Sequence, residues 1–218
     1  MIDVSIALAT RGRPQSLSRL LQSIKNKVRR LDSIEVFLGV DYCDDSLPEI
    51  LSIARSYAFS VFVLIQKRAQ NISDDYLNRL FSTSRGRWLW VLNDDVEVLT
   101  DAFDDVIRSK ADIGSVYLDT KDNTRNYNGN GEFACFPILN RKAFNALGCF
   151  FPPGAPTWGA DKVLWKICNR AGIVKDALDI EVKHYMDIKD DAHNHMKEGL
   201  RNRGIDVDID AYTQRLKP

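Results

Sequence analysis

The sequence predicts an α/β domain with a mixed, mainly parallel sheet flanked by helices. Two observations carry this reading. Over the first hundred residues, short apolar runs rich in β-branched and aromatic side chains alternate with longer segments whose apolar residues recur at helical spacing. The most apolar run, Trp88 to Leu92, shows no polar alternation, the pattern of a central strand covered on both faces.

Val4 to Ala9 is a strand that stops at Thr10-Arg11-Gly12-Arg13-Pro14. Ser16 to Val28 follows as a helix, with Leu17, Leu20, Leu21, Ile24 and Val28 on one face. Ile34 to Val40 is the second strand and ends at Asp41. Leu47 to Ala58 is a helix that tolerates Pro48 in its first turn, and Phe59 to Ile65 is the third strand. Ser73 caps a helix running to Phe81, with Tyr76, Leu77, Leu80 and Phe81 on its apolar side. Trp88 to Leu92 is the fourth strand and runs straight into Asn93-Asp94-Asp95.

The remainder is less regular. Ala102 to Ile107 reads as a helix and Ile113 to Leu118 as a strand. Asp119 to Gly131 is polar and turn-rich, hence a loop or hairpin tip. Phe133 to Leu139 is strand-like, and Arg141 to Leu147 is a helix closed by Gly148. Phe150 to Trp158, with three prolines and a glycine, is irregular. Ala160 to Ala171 is a helix stopped by Gly172, and Ile180 to Val182 leads to His184-Tyr185. One domain over residues 1–186 is expected. A charged helical tail over 187–218 would pack through Ile188, Met196 and Leu200.

Thirty basic and thirty acidic residues among 218 give a net charge of +0, which supplies no overall pull towards nucleic acid or anionic membrane. With 44% hydrophobic and 28% charged residues, the chain excludes wholesale disorder. Asp3 and Arg11 break the N-terminal apolar run, so no signal peptide or membrane span is expected there. The expected location is cytoplasmic, with peripheral membrane contact open. Cys43, Cys135, Cys149 and Cys168 form no CxxC pair, so they read as free thiols rather than a zinc site.

Parallel α/β sheets gather ligands at the carboxyl ends of their strands. Polar clusters stand at three such ends: Thr10-Arg11-Gly12-Arg13, Asp41 with Asp44-Asp45, and Asn93-Asp94-Asp95. Two adjacent carboxylates after a buried strand repel each other, and a divalent cation offsets that repulsion. Oxygen ligands suit Mg²⁺ or Mn²⁺, ions that in turn bind diphosphates. An acidic turn before the next helix accounts for the same residues.

Six segments, in order, resemble glycosyltransferases of family 2 type with the GT-A fold. VSIALATRGRPQSLSRLLQSI resembles their opening strand, turn and helix, and FLGVDYCDDS their second strand with the aspartate that meets the nucleotide base. DYLNRLFSTSRGRWLWVLNDDVEV resembles the signature in which Asn78, Gly86 and the DxD-type Asn93-Asp94-Asp95 follow in fixed order. ACFPILNRKAFNALGCF resembles the acceptor-side segment, TWGADKVLWKICNRAG the helix that begins with the catalytic base, and His184-Tyr185 the place of a metal-binding histidine. Two departures stand out: Asn93 replaces the first Asp of the motif, and Gly-Ala-Asp replaces the more usual Glu-Asp.

The resemblance implies a metal-dependent, inverting sugar transfer from a nucleoside-diphosphate sugar, UDP-linked by default, with Mn²⁺ or Mg²⁺. Residues 1–100 would form the donor half and 101–186 the acceptor half. Thr10, Arg11, Arg13, Asp41, Asn78, Asn93 and Asp94 would bind donor, Asp95 and His184 the metal, and Trp158 and Gly159 the acceptor. Asp161 would be the general base, although an acid in a helix's first turn is also favoured by the helix dipole, by about 0.3–1 kcal/mol. The acceptor could be a saccharide, a lipid-linked glycan, a protein or a modified nucleic-acid base, and no residue chooses among them. Two other readings stay open. Asn93 suits a non-catalytic nucleotide-sugar or glycan-binding module with a degenerate site. Nucleotidyl transfer usually brings a glycine-rich phosphate loop, for which only Gly12 is present.

Overall fold

The apolar alternation of the first, second and fourth strands divides their side chains between two hydrophobic cores. Val4, Ile6 and Leu8, then Val36 and Leu38, then Trp88 and Trp90 all face one core, whereas Ala7, Phe37, Leu89 and Val91 face the other. The computed structural model describes residues 1–110, 114–123, 134–156, 159–185 and 207–217. The strands are β1 (Val4–Thr10), β2 (Ile34–Asp41), β3 (Ser60–Gln66), β4 (Trp88–Val91), β5 (Val96–Val98), β6 (Tyr117–Asp122), β7 (Ile138–Asn140) and β8 (Val174–His184). The helices are α1 (Pro14–Lys27), α2 (Leu47–Arg55), α3 (Asn78–Thr83), α4 (Phe103–Ser109), α5 (Arg141–Leu147), α6 (Ala160–Arg170) and α7 (Ile209–Leu216).

The described strands form one sheet in the order β3-β2-β1-β4-β7-β6-β8-β5. The first four are parallel, β7 runs antiparallel to both β4 and β6, and β5 runs antiparallel to β8. Helices α1, α2 and α4 cover one core; α3, α5, α6 and α7 cover the other. Each fully buried Leu, Ile or Phe in these layers stabilises the fold by about 1.5–3 kcal/mol. Two buried carboxylates brace the N-terminal half of the chain. Asp104, wholly buried, accepts from the Arg29 and Arg30 amides at 2.7 and 3.1 Å and from Ser33 Oγ at 3.0 Å, pinning the turn after α1. Glu35, also wholly buried, accepts from Ser5 Oγ at 2.7 Å and from both Nε and Nη2 of Arg85.

Several elements depart from the sequence expectation. β8 has 11 residues rather than the short run around Ile180, because outward-facing Lys175, Asp176, Leu178 and Asp179 hide its periodicity. β6 extends through Asp119-Thr120-Lys121-Asp122, read above as loop; its register slips by a bulge between Thr120 and Lys121, and Asp122 is buried. The helix expected over 73–81 opens as a π-helical turn, Ser73–Leu77, and becomes α-helical only at Asn78. β7 is shorter than expected. Of the tail, residues 186–206 lie outside the described part, and with them Ile188, Met196 and Leu200. Its end forms α7, which packs on α5 and α6 and is tied by Arg215 Nη1 to the Leu147 carbonyl at 2.9 Å. Among the described residues, no helix is long and apolar enough to cross a membrane.

Candidate active site

Parallel pairing places the ends of β1, β2 and β4 side by side, and the polar residues beyond them meet. Thr10 Oγ1 donates to Asp94 Oδ2 at 2.8 Å, and Arg13 Nη1 donates to Asp94 Oδ1 at 3.1 Å and lies 3.9 Å from Asp95 Oδ2. Arg13 stands immediately before Pro14, the first residue of α1, so the turn that opens the helix is what positions this guanidinium. Asp94 is only 3% exposed, and burial pushes its carboxyl up to about 6; the Arg13 charge and the Thr10 bond oppose that shift, while Asp95 adds to it.

β5 follows Asp95 directly and pairs antiparallel with β8, Val96 opposite His184. This register brings His184 Nε2 to 3.3 Å from Asp95 Oδ1. That oxygen is buried and accepts no hydrogen bond, and His184 Nδ1 is likewise buried without one. The imidazole rests edge-on against Phe136, ring centres 5.0 Å apart, and the His184 backbone is held by Asn123 through bonds of 2.6 and 3.2 Å. An oxygen and an imidazole nitrogen converging with an acceptor left over fit a divalent cation. Among the described residues, no group of three or more His, Cys, Asp or Glu side chains forms a metal cage. Two protein ligands and an open remainder suit Mg²⁺ or Mn²⁺ completed by phosphate oxygens.

The β2 end forms a second cluster. Arg11 pairs with Asp41 Oδ2 at 2.6 Å, while the Gly12 amide donates to Asp44 Oδ2 at 2.9 Å, its φ of +65° being the conformation that glycine permits. Asp41 Oδ1 accepts from Tyr76 Oη at 2.6 Å and from the Ala69 amide at 3.2 Å. The carboxylate raises the Arg11 pKa; burial together with the same carboxylate raises that of Tyr76, so both remain donors. A Cβ at Gly39 would come within 2.5 Å of the Tyr76 ring, so this glycine is what allows the phenol to lie across β2 and reach Asp41.

Asp161 lies in the first turn of α6, its Oδ1 accepting from the Lys162 amide at 2.8 Å, and burial raises its carboxyl to about 6, with Asp122 contributing through its charge. Gly159 caps this helix with φ +100°, so its glycine serves the backbone. Trp158 lies outside the described residues. Asn93 is solvent-exposed beside the buried pair.

Asn78, expected at the donor, is engaged elsewhere. Its Oδ1 accepts from the Phe150 and Phe151 amides, both at 2.9 Å, and its Nδ2 donates to the Phe151 carbonyl at 2.8 Å. With Asn71 Nδ2 on the Ala155 carbonyl at 2.8 Å and Asp74 Oδ2 on the Gly154 amide at 3.1 Å, it latches the proline-rich segment before α6 to the π-helical turn. The structure adds Tyr76, Asp122, Asn123, Glu97 and Tyr185 to the residues around the site. In sequence Tyr76 stands out only on an apolar helix side and Tyr185 only beside His184, while Asp122 and Asn123 fall in a segment read as loop.

A family model for glycosyl transferase family 2 matches residues 5–130. No curated protein matches the chain in sequence. Among solved structures, S. aureus TarS 1-349 is similar with TM-score 0.68 and 13% identity, over 99% of this chain and 69% of that one. The same TarS fragment in complex with UDP-GlcNAc gives TM-score 0.69 and 12% identity, over 99% and 70% of the two chains. The mannosyltransferase PcManGT from Pyrobaculum calidifontis, in complex with GDP-Man and Mn²⁺, gives 0.69 and 14% identity, over 97% and 68%. At these identities the likeness is one of fold, the GT-A fold. With the family match spanning more than half of the chain, it leads to one identification: the chain belongs to glycosyl transferase family 2 and is a glycosyltransferase.

Proposed function

We propose that this glycosyltransferase moves a sugar, with inversion, from a nucleoside-diphosphate donor (UDP-linked by default) to an acceptor hydroxyl, and that it needs Mn²⁺ or Mg²⁺. The observation that carries this is the buried set at the strand ends: Arg13 on Asp94, and Asp95 Oδ1 facing His184 Nε2 at 3.3 Å. The bound nucleotide sugars and Mn²⁺ of the structural neighbours support it.

Asp95 and His184 would hold the cation, which when bound neutralises the charge that develops on the departing diphosphate. Arg13 sets a fixed guanidinium beside the same phosphates and, with Thr10, keeps Asp94 oriented. Exposed Asn93 is free to meet the donor's ribose or sugar. Arg11 and Asp41 present a donor and an acceptor side by side to the nucleotide base. Asp161 takes the proton from the attacking hydroxyl. Its carboxyl, raised to about 6, is ionised at neutral pH yet more basic than an ordinary aspartate.

A thermal-shift screen of UDP- and GDP-sugars with and without Mn²⁺ tests the proposal. A donor at about 100 times its dissociation constant should stabilise the wild type by about 2.7 kcal/mol. The gain should require Mn²⁺ and vanish in Asp95→Asn. Stabilisation by no nucleotide sugar in either condition would overturn the reading.

A further inference from the structure

The structure assigns Tyr185 as a positioning residue that holds the His184-bearing strand end against the Asp95 strand. This inference rests on the metal reading of Asp95 and His184. β5 has three residues, and its ladder with β8 ends at the Val96–His184 pair, one step short of the residue whose carboxylate matters. Tyr185 continues the contact. Its backbone amide donates to the Asp95 carbonyl at 2.9 Å, and its phenol donates to Glu97 Oε2 at 2.6 Å. Asp95 immediately precedes β5 and Glu97 lies within it, so a single tyrosine grips that segment at two points.

The ring itself is clasped. The Arg19 guanidinium carbon lies 4.1 Å from its centre and Lys183 Nζ 4.6 Å. Arg19 Nε and Nη2 are buried without a hydrogen-bond acceptor, so the tyrosine face is what offsets the burial of that cation. The imidazole has no hydrogen bond at Nδ1, only Asp95 at Nε2, and one edge contact with the Phe136 ring. Beyond that ring contact, the direction of the His184 side chain is set through its backbone, by Asn123 on one side and Tyr185 on the other. Groups that orient a metal ligand in this way commonly change metal affinity about 10–100-fold when removed.

The test is Mn²⁺ affinity read directly from the electron paramagnetic resonance of free Mn²⁺, titrated in the presence of UDP. Wild type, Tyr185→Phe, Tyr185→Leu, Glu97→Ala and Asp95→Asn are compared. Tyr185→Phe and Glu97→Ala lose the same bond and should each weaken Mn²⁺ about tenfold; Tyr185→Leu, which also loses the clasp, should approach a hundredfold. UDP affinity without Mn²⁺ should stay at the wild-type value, and saturating Mn²⁺ should restore the rate of UDP release. Wild-type Mn²⁺ affinity in both Tyr185 variants, with binding lost in Asp95→Asn, would overturn the inference and leave the metal reading standing. Wild-type affinity in Asp95→Asn would bring down the metal reading and this inference with it. Metal-free UDP affinity falling in parallel with Mn²⁺ affinity would mark Tyr185 as general scaffold and overturn the inference.

Discussion

Replacing Asp94 with Asn should make the metal-free protein more stable at pH 8 while impairing donor binding. Asp94 is 3% exposed, and its carboxyl titrates at about 6 instead of the ordinary 3.8. Raising the pKa of an acid means that the folded chain holds a proton the unfolded chain has already released. Stability therefore falls as pH rises from about 4 to about 6, and the full cost stands above that window. A displacement of about two units corresponds to about 3 kcal/mol, with the help of Arg13 and Thr10 already included. Asn keeps one acceptor oxygen but brings an NH₂ group facing donors, which cancels about 1 kcal/mol. The expected net gain is about 2 kcal/mol, or about 4–8 °C in Tm for a chain of this size. Urea unfolding with chelator present, at pH 8 and pH 4, measures it. At pH 4 the wild-type carboxyl is protonated in the folded state, so the advantage should disappear. With Mn²⁺ and UDP added at pH 8 the order should reverse, since ligand stabilises only the form that binds it. A variant less stable than wild type at pH 8, or a gap identical at both pH values, would refute the reasoning.

Asp161→Asn should lower UDP release by about 10²–10⁴-fold with donor affinity unchanged, measured by kinetics alongside calorimetric titration. In wild type, the plot of rate against pH should fall on the acid side with an apparent pKa near 6, because the base works only when ionised. Asp104→Ala leaves the part-buried Arg29 and Arg30 amides without their acceptor, Ser33 Oγ keeping the Arg30 carbonyl, and should destabilise by about 1–3 kcal/mol in chemical denaturation. Asn78→Ala frees the Phe150 and Phe151 amides and should cost about 2–3 kcal/mol by the same assay, with metal-free UDP affinity unaltered.

How much of this was legible beforehand follows burial. β1, β2 and β4 carry apolar residues on both faces, so their runs and the polar clusters at their ends stand out in sequence. Asp94 and Asp95 were visible for the same reason: carboxylates directly after a buried strand are costly and ask for a partner. β5 and β8 were obscure because β5 is three residues long and β8 exposes Lys175, Asp176 and Asp179, so neither shows a clean period. Their antiparallel pairing, which brings His184 to Asp95, is a contact across 89 positions that no local pattern encodes. Asn78 shows the opposite case. Its place in an ordered motif pointed to the donor, while its amide is taken up by backbone groups more than seventy residues away. Those groups belong to an irregular segment whose course only tertiary packing determines.

The net charge of +0 conceals an uneven distribution that bears directly on the chemistry. At the strand ends, two carboxylates, Asp94 and Asp95, share one guanidinium, that of Arg13; Arg11 is committed to Asp41. Ionised, this group is left with an excess negative charge in a poorly hydrated place, and the displaced pKa of Asp94 expresses it. A monovalent cation would only neutralise the group. A divalent one leaves a net positive charge, which is what a diphosphate requires of its binding surface. The same arithmetic argues that metal and donor bind together. On the proposed function, a cation held by Asp95 and His184 would lower the cost of the paired carboxylates, and the donor's phosphates would complete what two protein side chains leave open. Nucleotide affinity should therefore rise steeply with Mn²⁺ and Mn²⁺ affinity with nucleotide by the same factor, a reciprocity that linkage demands of any two ligands sharing one site.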